Sequence, residues 1–224
     1  MLKTLTISNS QNQKITGILH NNNQSKTLFI IVPGYKTYKN DPAIKEMAVQ
    51  LSKKYTVFRY DSTDDINVVR QENNLNSIVD FFRLKFDNII LIGTSLGALV
   101  SLMHVNKNKC VNKLVLINGF FYFWGLKWND LKIIILTFIT FPFIKISRQI
   151  LISYYKNLKP KNINVPVLLI CGRNDERINF KQSQKFYNSV KENKSLVILD
   201  NIDHGLTRKE FVVDVSKKII EWLK

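Results

Sequence analysis

The chain has few of the residues that interrupt regular structure, with 8 glycines and 5 prolines among 224 positions. Together with the lack of any low-complexity tract, this sets aside a disordered chain. No unit recurs at a period of about 20 to 50 residues, so a solenoid or propeller is excluded as well. Cysteine is nearly absent: Cys110 and Cys171 are too few for a disulfide framework and read as small apolar residues. Acidic residues are scarce, 17 against 33 Lys and Arg, which leaves a formal net charge of +16. The basic residues are scattered as singles and pairs, without a block of like charge, and read as a solvated basic surface rather than a nucleic-acid-binding face. Long apolar runs are missing too. The longest, Ile133 to Ile144, has 12 residues and contains Thr137, Thr140 and Pro142, short of the roughly 18 to 20 that span a bilayer. The amino terminus alternates like a strand and carries no leader-type apolar core or cleavage site, so the expected location is cytoplasmic.

What is present is an alternation of short apolar runs and amphipathic stretches. Leu28–Val32, Tyr55–Tyr60, Ile89–Ile92, Leu114–Ile117, Val165–Ile170 and Leu196–Leu199 read as strands. Several are apolar throughout, as in a parallel sheet covered on both faces. Between them, Ile44, Met47, Ala48 and Leu51 follow helical spacing behind Asp41-Pro42, a capping residue and a proline suited to the first turn. Leu75, Ile78, Val79 and Phe82 repeat that spacing, as do Phe211, Val215, Ile219 and Leu223, while Ser95 to Val105 is apolar nearly all round. The pattern predicts a doubly wound, mostly parallel α/β sheet, with Leu2–Ile7 and Lys14–His20 adding an antiparallel hairpin at one edge.

One stretch breaks this rhythm. About 45 residues separate Ile117 from the next strand, and from Phe120 to Phe143 they hold 9 of the chain's 25 aromatic residues. We read residues 119–162 as a helical cap inserted into a core formed by residues 1–118 and 163–224.

The residues able to do chemistry gather around Gly93-Thr94-Ser95-Leu96-Gly97. Composition alone would supply Gly-x-Ser-x-Gly about once in fifty such chains, so the weight lies in its context. A strand precedes it and a buried helix follows, a tight turn that projects the Ser95 hydroxyl from the sheet's carboxyl edge; the alternative is a serine that merely caps the helix. A serine nucleophile needs a base. Of the three histidines, His20 ends the hairpin and His104 lies far along the helix after Ser95, whereas His204 sits in a loop after a late strand. The base in turn needs an orienting carboxylate, and Asp175, directly after the Val165–Ile170 strand, is favoured over Glu176 and Asp203. Two backbone N–H groups must receive the developing oxyanion: Leu96, just after the nucleophile, and Tyr35, beside Gly34.

Gly34, Arg59-Tyr60-Asp61, the Ser95 pentapeptide, Gly172-Arg173-Asn174-Asp175 and Asp203-His204 together resemble the α/β-hydrolase superfamily over nearly the whole chain. Within it, the likeness is to small bacterial esterases, monoacylglycerol lipases and serine-aminopeptidase-like hydrolases. The chain departs from their pattern at Pro33, where a histidine is usual, at Ser62-Thr63-Asp64-Asp65 in place of a glycine-rich turn, and at Asn179 in place of a proline. The resemblance implies acyl transfer to water without metal or organic cofactor, in the order Ser95, Asp175, His204.

The expected substrate is a small carboxylic ester with an apolar acyl or aromatic acid part, received by the aromatic cap. A thioesterase or small amidase or peptidase would use the same residues, and an inactive hydrolase fold serving as a binding module is the reading of a different class. The cap segment also carries Lys127, Lys132, Lys145, Arg148, Lys156, Lys159 and Lys161 against Asp130, a balance suited to peripheral contact with anionic lipid. Co-sedimentation with anionic vesicles and not with neutral ones is the expected outcome, and equal recovery with both would remove the membrane reading.

Overall fold

The computed structural model describes residues 1–63, 67–121, 163–191 and 193–224. The cap reading rests mainly on residues 122–162, which lie outside that set, as do most of the clustered aromatics and the basic residues assigned to lipid. Among the described residues there are eight strands and five helices. In chain order they are β1 (Leu2–Ser8), β2 (Lys14–His20), β3 (Thr27–Val32), α1 (Pro42–Ser52), β4 (Thr56–Tyr60), α2 (Val68–Phe82), β5 (Asn88–Thr94), α3 (Leu96–Lys107), β6 (Lys113–Ile117), β7 (Val167–Gly172), α4 (Lys181–Ser189), β8 (Lys194–Leu199) and α5 (Lys209–Trp222).

All eight strands form one sheet in the order β1-β2-β4-β3-β5-β6-β7-β8. From β4 to β8 the strands are parallel, and β1 and β2 add the antiparallel hairpin at the edge. The period of two along each strand sorts side chains onto opposite faces. Leu28, Ile30 and Val32 of β3 point to one core, with Leu91 of β5 and Leu75, Ile78, Leu99 and Phe186 of α2, α3 and α4. Phe29 and Ile31 point to the other, with Ile90 and Ile92 of β5, Met47 and Leu51 of α1, and Val215 and Ile219 of α5. Helices thus cover both faces, which is why the central strands are apolar without alternation.

Helix α3 is buried from Leu96 through Val105, as its uniform apolarity predicts. The buried stripe of α5 is Val212, Val215 and Ile219, with Phe211 and Leu223 packed at its margin; the helix is turned slightly from the face the spacing predicts. Phe121, at the start of the aromatic-rich segment, is core: it is fully buried and stacks on Phe186 with ring centroids 4.3 Å apart. No helix among the described residues is long and apolar enough to cross a membrane.

The crossing of β5 and α3 over the end of β3 leaves no room for side chains at two glycines. A Cβ on Gly97 would stand 2.2 Å from the Val32 carbonyl oxygen and 2.6 Å from that of Pro33. On Gly93 it would stand 2.6 Å from the Gly97 carbonyl oxygen. These are backbone atoms of core elements and cannot rotate aside.

Two of the three histidines serve the scaffold. His20 pairs with Val57 across β2 and β4, and its Nε2 accepts a hydrogen bond from Arg59 Nε at 2.8 Å. Burial, followed by the Arg59 charge, lowers its pKa to about 4. His104 Nδ1 lies 2.6 Å from Asn76 Oδ1 in the seam between α2 and α3. Burial lowers its pKa to about 4 as well, opposed by Asp80 and reinforced by Lys107.

Gly97→Ala is expected to lower stability by at least about 1–3 kcal/mol, the usual cost of overpacking, since backbone must shift to admit the methyl group; denaturant titration measures it. The buried histidines predict an acid limit. Each is neutral when folded, so the stability they allow is complete above the unfolded value near 6.5 and is lost as pH falls toward 4. For His104 the loss reaches about 3 kcal/mol at pH 4. Urea unfolding at pH 7 and pH 4 should show a smaller difference for His104→Gln than for the natural chain.

Candidate active site

Five chain segments meet at the carboxyl ends of the parallel strands, those that follow β3, β5, β6, β7 and β8. The sequence runs from β3 outward to β4 and then back across to β5 on the other side of β3, so Ser95 stands where the winding of the sheet reverses, the usual place for a crevice in such folds.

Ser95 links the end of β5 to the first residue of α3 with φ 51° and ψ −116°, a conformation that costs a non-glycine residue strain. It occupies the N-cap position of α3, yet its side chain makes no capping hydrogen bond. The hydroxyl instead lies 2.9 Å from His204 Nε2. The serine is thus turned toward an imidazole and away from the helix amides.

His204 follows β8, and its Nδ1 lies 2.8 Å from Asp175 Oδ2. With Nε2 accepting from the serine hydroxyl, Nδ1 is the ring nitrogen that carries hydrogen and donates to the carboxylate. Asp175 follows β7 and is buried; its other oxygen, Oδ1, accepts the backbone N–H groups of Arg177 and Ile178, both at 2.8 Å. The carboxylate is therefore fixed by its own loop before it meets the imidazole. His204 and Asp175 side chains are 9% and 2% exposed, so the pair is shielded from water.

The two rival acids have other work. Glu176 Oε2 accepts the His204 backbone N–H at 3.1 Å. Asp203 Oδ1 accepts the Thr207 backbone N–H at 2.9 Å, and its Oδ2 accepts from the Thr207 hydroxyl, so it closes the turn after His204. His20 and His104 are held elsewhere in the fold, as described above. Cys171, next to the acid loop, is buried and its thiol is pushed up to about 11 by that burial, far from the thiolate form a nucleophile needs.

Of the two predicted backbone donors, Leu96 is the first residue of α3, where an N–H has no acceptor within its own helix. Tyr35 lies in the turn after β3, closed by the Thr37 N–H to the Gly34 carbonyl oxygen at 3.3 Å. That turn abuts the serine: a Cβ on Gly34 would stand 3.2 Å from Ser95 Cβ.

One residue that sequence reasoning missed is Asn118, which follows β6 with φ 46°. Its side-chain Oδ1 accepts the Gly172 N–H at 2.9 Å. Its Nδ2 donates to the carbonyl oxygens of Asp203 at 2.9 Å and His204 at 3.1 Å. An Asn-Gly pair ending a strand was the available signal, but it reads as an ordinary turn.

In fold, the chain is similar to an esterase from Pyrococcus furiosus, with TM-score 0.79 and 22% identity over 100% of this chain and 92% of that one. It is similar to the esterase domain of a Rhodothermus marinus protein, with TM-score 0.74 and 18% identity over 99% of this chain and 97% of that one. An α/β serine hydrolase homologue from Coxiella burnetii gives TM-score 0.74 and 14% identity over 99% and 97%. Among curated proteins none matches the chain. The model of the prolyl oligopeptidase family matches residues 64–224, a span that contains Ser95, Asp175 and His204. The chain belongs to the prolyl oligopeptidase family and is a hydrolase with the α/β-hydrolase fold.

Proposed function

We propose that the chain hydrolyses carboxylic esters through an acyl-enzyme on Ser95. The observation that carries this reading is the unbroken line from Ser95 Oγ through the His204 ring to Asp175. As the hydroxyl attacks the ester carbonyl carbon, its proton passes to Nε2, and the buried carboxylate stabilises the imidazolium that forms. The N–H groups of Leu96 and Tyr35 receive the oxyanion. The intermediate collapses, the alcohol leaves with the proton from His204, and Ser95 is acylated. Water then attacks the acyl carbon, with His204 taking its proton, and the acid departs as Ser95 recovers its hydrogen. The strained backbone at Ser95 supports this role, because a hydroxyl held clear of the α3 amides is free to act on a substrate.

The substrate class, an ester with an apolar acyl or aromatic acid part, rests on the aromatic composition of residues 120–143. A second reading is hydrolysis of small amides or peptides by the same residues, and the peptidase character of the matched family favours it. The leaving group separates the two, since the general acid must protonate an amine rather than an alcohol.

Nitrophenyl esters of increasing acyl length, with aminoacyl nitroanilides alongside, test both readings. Release of nitrophenolate by the natural chain is expected, with a loss of at least about 10³-fold for Ser95→Ala. Asp175→Asn is expected to lower kcat by about 10⁴-fold, as it leaves the imidazole in the wrong tautomer. Ester turnover that survives Ser95→Ala would sink the mechanism, and turnover of nitroanilides in preference to esters would replace the ester reading with the amide one.

A further inference from the structure

The proposed mechanism asks one imidazole to stay within hydrogen-bond reach of two partners on different strands. His204 stands in the loop between β8 and α5, Asp175 follows β7 and Ser95 follows β5, with β6 between β5 and β7. A loop that supplies the base needs something to fix it relative to that sheet edge.

Asn118 occupies that place. It follows β6, is 2% exposed, and its own N–H donates to the Ile170 carbonyl oxygen at 2.9 Å, which continues the ladder between β6 and β7 past the strand end. Ile117, just before it, accepts the Ser95 N–H at 3.0 Å, and the N–H of Phe120, two residues after it, donates to the Ser95 carbonyl oxygen at 3.1 Å. The backbone around Asn118 is therefore tied to the nucleophile. Its side chain is tied to both other loops, as acceptor to Gly172 and as donor to the carbonyls of Asp203 and His204. The amide orientation follows from these partners: the oxygen faces an N–H and the NH₂ group faces two carbonyl oxygens, whereas the flipped amide would oppose like groups at all three contacts. Glu176 holds the His204 N–H on the other side of the same peptide unit pair. The main chain of the base is thus gripped through both its N–H and its C=O.

We propose that Asn118 is a positioning residue for the reaction: its side-chain amide fixes the His204 main chain against the acid loop, so that the ring meets Asp175 and Ser95 at once. The proposal rests on the reading of Ser95, His204 and Asp175 as the acyl-transfer machinery. Asn118 touches neither substrate nor reacting atoms in that scheme. Its consequence is on the rate of proton transfer and hardly at all on substrate binding, because small misplacement of a catalytic group is costly to the chemical step.

Two substitutions remove the grip while keeping a residue that tolerates the positive φ. Asn118→Gly deletes the amide. Asn118→Asp keeps the shape and the acceptor for Gly172 but sets an oxygen against two carbonyls. Asn112→Ala is the control: Asn112 Oδ1 accepts the Ile89 N–H at 2.8 Å at the opposite end of the same strand region, a structural bond remote from Ser95. For each variant, kcat and KM are measured on nitrophenyl acetate, with titration by a fluorophosphonate that reports both the fraction of competent Ser95 and its rate of modification. Asn118→Gly and Asn118→Asp are expected to lower kcat per titrated site by about 10- to 100-fold, with KM changed less than about twofold and slower modification that still reaches one label per chain. Asn112→Ala should keep kcat per titrated site near that of the natural chain, whatever it does to melting temperature. Asn118 variants with kcat per titrated site within twofold of the natural chain would overturn the proposal, as would an equal loss in Asn112→Ala. Should one Asn118 variant fail to fold, the other carries the measurement. A natural chain that neither turns over ester nor takes the label would overturn the Ser95 reading itself and the proposal with it, a result distinct from active natural chain and unaffected variants.

Discussion

The site depends on how closely α3 can approach the end of β3. With hydrogen at Gly97 where any other residue has a methyl group or more, the first turn of α3 sits against the carbonyls of Val32 and Pro33. The chain leaving β5 must then enter the helix within one residue, and Ser95 takes φ 51° to do so. That strain is sustained by burial of ten consecutive residues of α3 between the sheet and α2. In return the hydroxyl is kept off the helix amides and held toward His204. Packing energy in the helix and the orientation of the hydroxyl at its first turn are two ends of one constraint.

The polar groups divide along the same lines. His20 and His104 are buried beside Arg59 and Asn76, and desolvation holds both neutral down to about pH 4. His204 differs in that each of its ring nitrogens lies within hydrogen-bond reach of a side chain, Asp175 at Nδ1 and Ser95 at Nε2. The acids divide likewise. Asp175 spends one oxygen on its own loop and the other on the ring, whereas Glu176 and Asp203 each serve the main chain around His204.

Most of the sheet was legible because strands buried on both faces must be apolar, and composition reports that directly. The strand at Val165–Ile170 is instead Val167–Gly172. Pro166 has no N–H for the ladder, while Cys171 and Gly172 look like a turn in sequence and pair with Ile198 and Leu199 in space. That His204, and not His20 or His104, would stand beside Ser95 was legible from position along the chain. Asn118 was not, since its partners lie 54 and 85 residues away and nothing local marks a residue whose role is to join distant loops. Helix α5 shows a lesser case: Phe211 fits the apolar period, yet Val212 takes the buried place, because which edge of a stripe faces inward is set by the sheet beneath it.

The geometry of the site can be followed rung by rung from the sheet itself. Thr94 pairs with Ile117, Ile117 with Ile170, and Gly172 with Leu199. One step beyond the strand ends the hydrogen bonds continue, from the Ser95 N–H to Ile117, from Asn118 to Ile170, and from Arg173 to Leu199. Ser95, Asn118 and the start of the acid loop are therefore the final rungs of ladders whose register is locked by cores on both faces, where a slip of one residue would exchange every inward side chain. Asp175 lies three residues past the end of β7 and His204 five past the end of β8, so each has a loop to wander in. Asp175 is fixed by the amides of Arg177 and Ile178. His204 lies furthest from its strand, and its main chain receives the most side-chain hydrogen bonds, from Glu176 on one side and Asn118 on the other. Precision at the imidazole thus has to be supplied by side chains, because the sheet that fixes Ser95 does not reach it.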